Sequence, residues 1–306
     1  MALEFLAVAH VNVNCAQLPR SLAFYRDALG FEPLSHTNPV PQDGAGFGMK
    51  GRVQWDAWIL HDDRGQAAQA IDLLEWKTPA PVGRPARAHE LGLSRLLLGA
   101  RDVAGLHARL RAAGATLLST PAALGGARHG FVARDPDGAL LEIAESTEAS
   151  ASPRFVGAAL NVANLEEAAA WYERLLGVRA SAAEKCVADG AAFGLAGAVR
   201  WRELELAATG AFSIRLAEWD EPRAVRGPLR PANALGLYRM ALLVESAQRA
   251  CTELDALGLV HSGSVWLDMG PDIPIDGLNA GFFPDPDGAC LEWIERPRVR
   301  NALRAR

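Results

Sequence analysis

The stretch FVARDPDGALLEIAE, residues 131–145, returns as FFPDPDGACLEWIE at residues 282–295, with one gap. In each copy an Asp-Pro-Asp-Gly turn leads into an apolar run. Proline presets the backbone of such a turn and glycine completes it. In ALLEIAE the side chains alternate, so Leu141 and Ile143 share one face and Glu142 takes the other. The segment reads as a turn feeding a half-buried strand, and it is present twice.

Working outward, the rest of the chain repeats at the same offset. SLAFYRDALGF (21–31) matches AAAWYERLLGV (168–178), and GFGMKGRVQW (46–55) matches AFGLAGAVRW (192–201). LLEW (73–76) matches LAEW (216–219), and LGLSRLLL (91–98) matches LGLYRMAL (235–242). Gly30 and Gly177 lie 147 residues apart, Gly114 and Gly258 144. Five matches in one order at one offset mark a tandem duplication.

Four helices follow from shared punctuation: 18–29, 103–113, 165–176 and 247–257. Pro19 sits in the first turn of the first. Asp102, Asn164 and Ser246 are N-cap candidates for the others, and Gly30, Gly114, Gly177 and Gly258 close the four. Each quarter of the chain reads as strand, helix, then about three strands. Pro79, Pro81 and Pro85 mark a linker within the first half, and Pro222, Pro228 and Pro231 its counterpart. The small polar stretch 146–153 separates the halves. The expected domains are 1–146, with modules 1–78 and 88–146, and 153–296, followed by a basic tail at 297–306.

The bulk numbers narrow the function classes. Of 306 residues 50% are hydrophobic and 22% charged, an ordinary globular composition with room for about two full cores. A net charge of -5 gives no cause to expect nucleic acid or an anionic membrane as partner. The four cysteines, Cys15, Cys186, Cys251 and Cys290, show no CxxC spacing and fit reduced thiols in a cytoplasmic protein. Neither a signal peptide nor an apolar run long enough for a membrane span is read.

The patterns HVNVN…LAFYRDALGF and DPDGALLEI resemble the vicinal-oxygen-chelate superfamily, which contains glyoxalase I, bleomycin-resistance proteins and extradiol dioxygenases. The resemblance covers nearly the whole chain. It implies an α+β fold of four βαβββ modules, paired 1–2 and 3–4 into two curved mixed-sheet domains. It also implies a cleft in each pair, with four positions that commonly bind a metal. One lies on the first strand and one on the last strand of each module. In the first half these positions map to His10, Asp72, Arg95 and Glu142, and in the second to Gly157, Arg215, Arg239 and Glu292.

Strand alternation agrees with that mapping. Val11, Val13 and Cys15 pack beneath the helix, leaving His10, Asn12 and Asn14 on the cleft face. Asp72 and Trp76 share a face, and Trp58 is placed at the rim. Glu75 and Glu218 face away. His129, in a loop, is within reach of the cleft. Trp201, Trp219 and Trp293 read as core.

Three readings of the first-half cleft stand open. In one, His10, Asp72 and Glu142 hold one Mn, Fe or Zn ion for a lyase, isomerase or dioxygenase. In the second the cleft is metal-free. Arg95 pairs with Glu142 or Asp72, His10 performs acid–base chemistry, and Asn12, Asn14, Asp72, Trp58 and Trp76 bind a small carbonyl-bearing or aromatic molecule. That reading includes a non-catalytic, resistance-like binder. In the third the polar groups are structural. Arg95 argues against a metal, because a permanent cation stands where a fourth ligand belongs. The partner expected is a small molecule, and the chain a monomer or homodimer.

Overall fold

The computed structural model describes residues 2–297. The tail read as basic lies, beyond Pro297, outside the described residues.

The helices form where the caps place them. The last three run Val103–Ala112, Leu165–Leu176 and Ala247–Ala256. Asp102, Asn164 and Ser246 accept from the backbone N–H groups of Gly105, Glu167 and Arg249, meeting donors that have no partner inside the helix. The first, Leu18–Ala23, has Pro19 in its opening turn and loosens into a π-helical turn over Phe24–Ala28. The glutamates read as facing away from the cleft complete two of these N-termini. Glu75 accepts from Leu18 N at 2.7 Å and Glu218 from Leu165 N at 3.1 Å.

The strands assemble into two curved nine-stranded sheets, so the fold is α+β with four modules paired into two glyoxalase-like domains. The partners differ from those expected. The first strand of module 1, Phe5–Asn14, runs antiparallel to that of module 4, Gly236–Val244, with His10 opposite Ala241. The first strand of module 2, Gly92–Ala100, pairs with that of module 3, Arg154–Asn161, with Arg95 opposite Ala159. The 1–2 and 3–4 pairing is therefore corrected to 1–4 and 2–3. All four first strands are the opening element of the same repeated module. Their open edges are thus interchangeable to a reading of the repeat, and linker path and core packing select among them.

Consecutive modules still touch, through their convex sides. One large core gathers residues of all four helices and the outer faces of both sheets, among them Tyr25, Leu96, Tyr172 and Leu242. Within it Tyr25 donates to Asp135 of the module 2 turn, and Tyr172 to Asp285 of the module 4 turn, at 3.2 and 2.9 Å. Each concave face keeps a separate aromatic cluster. Phe47, Trp55 and Trp76 line one, and Phe193, Trp201 and Trp219 the other.

Candidate functional site

The new pairing redistributes the predicted site residues. His10 and Asp72 share the 1–4 cleft with Arg239 and Glu292, while Arg95 and Glu142 lie in the 2–3 cleft with Arg215. The set His10, Asp72 and Glu142 is not brought together.

The 1–4 cleft holds a cavity of about 380 Å³. Its walls are largely apolar, with Trp76, Leu243, Leu267, Met269, Ile275 and Ile294 among them. At its floor the Arg239 fork reaches both acids. Nε donates to Glu292 Oε2 and Nη2 to Asp72 Oδ2, each at 2.8 Å. Asn12 supports Asp72 from behind at 3.1 Å. His10 Nε2 stands 3.4 Å from Glu292 Oε2 and 3.8 Å from Asp72 Oδ2. Burial alone would raise the Glu292 carboxyl, but the Arg239 guanidinium and His10 hold it below the ordinary carboxylate range. Burial would likewise lower Arg239, yet Glu292 and Asp72 hold it above its usual value, so the fork stays charged. His61, also in the lining, is pushed below the ordinary histidine value by burial.

Two expected ligand-binding residues do other work. Asn14 donates to the carbonyls of Ala232 and Ala234 and accepts from Trp76 Nε1, so it anchors the second linker. Asn161 does the same for the first linker, through Ala88 and Glu90. Trp58 packs against the shared convex core and stacks on His36 at 4.5 Å, while Trp55 takes the concave face.

The 2–3 cleft holds a buried ion-pair network. Glu142, 2% exposed, is bonded by Arg95 Nε at 3.0 Å and Arg215 Nη1 at 2.6 Å, with Arg128 Nε 3.3 Å away. Burial opposes its ionisation, but Arg215, Arg95 and Arg128 bring its pKa down to about 2. The Arg95–Glu142 pair read from sequence is thus formed, and Arg239–Glu292 is its counterpart in the other cleft. Sequence reading missed Arg128 and Glu203, which also pair here. Alternation from Trp201 would have put Glu203 on the cleft face. Trp201 and Trp219 stack at 5.3 Å, buried beside Phe193, and Trp293 is buried in the shared core. His129 is exposed at the start of its strand. Cys15 and Cys186 are buried, Cys251 and Cys290 half-buried, and all four are free thiols.

Residues 7–143 match the model of the Glyoxalase/Bleomycin resistance protein/Dioxygenase superfamily. The fold is similar to that of glyoxalase I from Zea mays, with a TM-score of 0.65 at 15% identity over 94% of this chain and 92% of that one. It is also similar to a candidate dioxygenase from Bacillus subtilis, at 0.62 and 14% over 97% and 87%. No curated protein sequence matches the chain.

Residues 7–143 carry a domain of this superfamily, and the chain as a whole has a fold similar to that of glyoxalase I.

The positions at which the resemblance implies a metal bring His10, Asp72, Arg239 and Glu292 together in the 1–4 cleft, and these residues do not fit one. The oxygens that would ligate it are held by a guanidinium, and a divalent ion about 4 Å from that charge would cost several kcal/mol even at an effective dielectric of about 20. In the 2–3 cleft the positions are Arg95, Glu142, Gly157 and Arg215, again with guanidinium groups on the acid. Among the described residues no group of three His, Cys, Asp or Glu side chains is placed to hold an ion.

Proposed function

We propose that the 1–4 cleft binds a small, mostly apolar molecule carrying one carbonyl or phenolic oxygen, and does so without a metal ion. One observation carries this reading. Arg239, which lines the apolar cavity, keeps its Nη1 buried with no hydrogen-bond partner among the described residues. A buried donor left unmade costs about 1–3 kcal/mol, and a ligand oxygen at Nη1 removes that cost. Asp72 and Glu292 hold the other two nitrogens, so the donor is fixed in advance of binding. Pockets for small molecules run from about 300 to 1,000 Å³, and a cavity near the lower end suits one or two rings.

His10 favours a second reading of the same site, catalysis. Its Nε2 is buried beside two carboxylates without hydrogen-bond geometry to either, and its ring lines the cavity. An oxygen on Arg239 would be polarised, and a proton on the neighbouring carbon would lie within reach of an imidazole base. Isomerase or lyase chemistry on a carbonyl compound fits that arrangement.

Trp55 and Trp76 line the cavity, so tryptophan emission reports binding. Acetophenone, benzaldehyde and phenol serve as probes. Arg239→Met is expected to weaken binding at least tenfold, about 1.4 kcal/mol. His10→Ala is expected to keep binding and lose any turnover. Equal affinity in wild type and Arg239→Met overturns the binding reading, and turnover that survives His10→Ala overturns the catalytic one.

A further inference from the structure

A second cavity, of about 550 Å³, lies at the linker end of the 1–4 sheet, with Phe47 in the lining of both cavities. The internal repeat supplies a control for it. Gly48 and Gly194 occupy matching left-handed positions after the turns that carry Phe47 and Phe193, with φ of +69° and +71°. A Cβ built at Gly194 would meet Arg134 Nη2 at 3.4 Å and Leu118 at 3.8 Å. One built at Gly48 would meet nothing within 4 Å.

The sheet registers explain the difference. Leu118 N donates to Val132 O and Ser262 N to Phe282 O, each at 2.9 Å, so Ser262 stands where Leu118 does. Arg134 pairs with Leu140 and Pro284 with Cys290, so Pro284 stands where Arg134 does. In the 2–3 half a leucine and an arginine fill the space. In the 1–4 half a serine and a proline leave it open.

The opened space has its own charge. Arg226 and Arg230 of the second linker line it, together with the apolar side chains of Phe47, Leu237 and Phe282. Arg230 Nη2 donates to Leu235 O, its Nε is buried without a partner, and it makes no ion pair among the described residues. Of the acids in the lining, Glu90 is taken by Arg84 and the Arg87 N–H, and Asp287 lies 3.9 Å from Arg226. Burial, aided by Arg84, holds the Arg230 guanidinium below the ordinary arginine value against the opposing pull of Glu90.

We infer that this cavity is a second ligand site, which takes a small carboxylate with an apolar body. The carboxylate pairs with Arg230, and the body lies against Phe47, Leu237 and Phe282. Arginine's planar fork suits a carboxylate better than any neutral oxygen.

The test is calorimetric titration of the whole protein with benzoate and hexanoate, and with their amides benzamide and hexanamide as uncharged controls. The acids are expected to bind at least tenfold more tightly than the amides. Arg230→Met should remove that preference. The double variant Ser262→Leu/Pro284→Arg copies the filled half and should likewise abolish the acid preference, leaving only what the first cavity binds. Neither variant touches Arg239 or His10, so the first cavity is assayed separately. Acids and amides binding alike, acid binding unchanged in both variants, or no acid binding at millimolar concentration each overturns the inference.

Discussion

Tyr25 and Tyr172 each donate a hydrogen bond to the first aspartate of an Asp-Pro-Asp-Gly turn, and those two aspartates are buried. Burial is the main cause that raises Asp135 and Asp285 from 3.8 to about 6, against backbone N–H groups that pull the other way. A carboxyl raised in the folded state contributes stability that is fully present below its unfolded value of 3.8 and is lost as pH rises through about 6. A shift of that size corresponds to about 3 kcal/mol per site. Melting temperature is therefore expected to rise as pH is lowered from 7 toward 5. Asp285→Asn keeps the oxygen that accepts from Asp287 N and Ala289 N, and it should flatten part of that rise while stabilising the protein at pH 7. Scanning calorimetry across this range decides the matter, and an unchanged slope in Asp285→Asn would count against it. Glu142 behaves oppositely. Its pKa is lowered to about 2, so its contribution is complete above its unfolded value of 4.5 and fades only in strong acid.

At the scale of elements, the loop over 269–276 closes the first cavity, bringing Met269, Ile273 and Ile275 to its wall. It is held by module 1. His36 contacts Asp272 at 2.9 Å and Asp56 at 2.7 Å, Asn38 donates to Asp272 at 2.8 Å, and Asn38 N donates to Met269 O at 3.2 Å. Asp272 is half exposed, and exposed pairs contribute at most about 1 kcal/mol. Asp272→Ala should therefore leave global stability nearly unchanged while opening the loop locally. Hydrogen exchange followed by mass spectrometry should show faster exchange over 269–276 than in wild type, with the sheet strands unaffected. Identical loop exchange would show that these contacts do not hold it shut.

The whole molecule is closed by strand pairs that cross the halves. In a fragment of residues 1–150, the strands Phe5–Asn14 and Gly92–Ala100 would each lose a neighbour supplied here by the second half. Open edges of that kind recruit other chains. Because the halves are repeats, one fragment's first strand can pair with the module 2 strand of another copy, and the reverse pairing closes a twofold dimer. Sedimentation of the fragment is expected to show a dimer or larger species, and a folded monomer would contradict the pairing.

The sequence by itself determined the number of modules, the order of their elements and the face taken by the alternating side chains, though not that of Trp58. These depend on local quantities: an oxygen-bearing cap before an apolar stripe, a glycine where the backbone turns left-handed, alternation along a strand. Asp102, Asn164 and Ser246 cap their helices on those grounds alone, and His10, Asp72, Arg95 and Glu142 reach concave faces. Tertiary structure decided which modules share a sheet, and so which charges meet. Arg239 joins Asp72, and Arg215 joins Glu142, although each was assigned to the other half's cleft. Four first strands of one repeated module offer equivalent edges. The choice among them is made by linker path and by packing over the shared convex core, where Tyr25 finds Asp135 and Tyr172 finds Asp285. Those contacts join residues more than 100 positions apart, beyond the range of any periodicity.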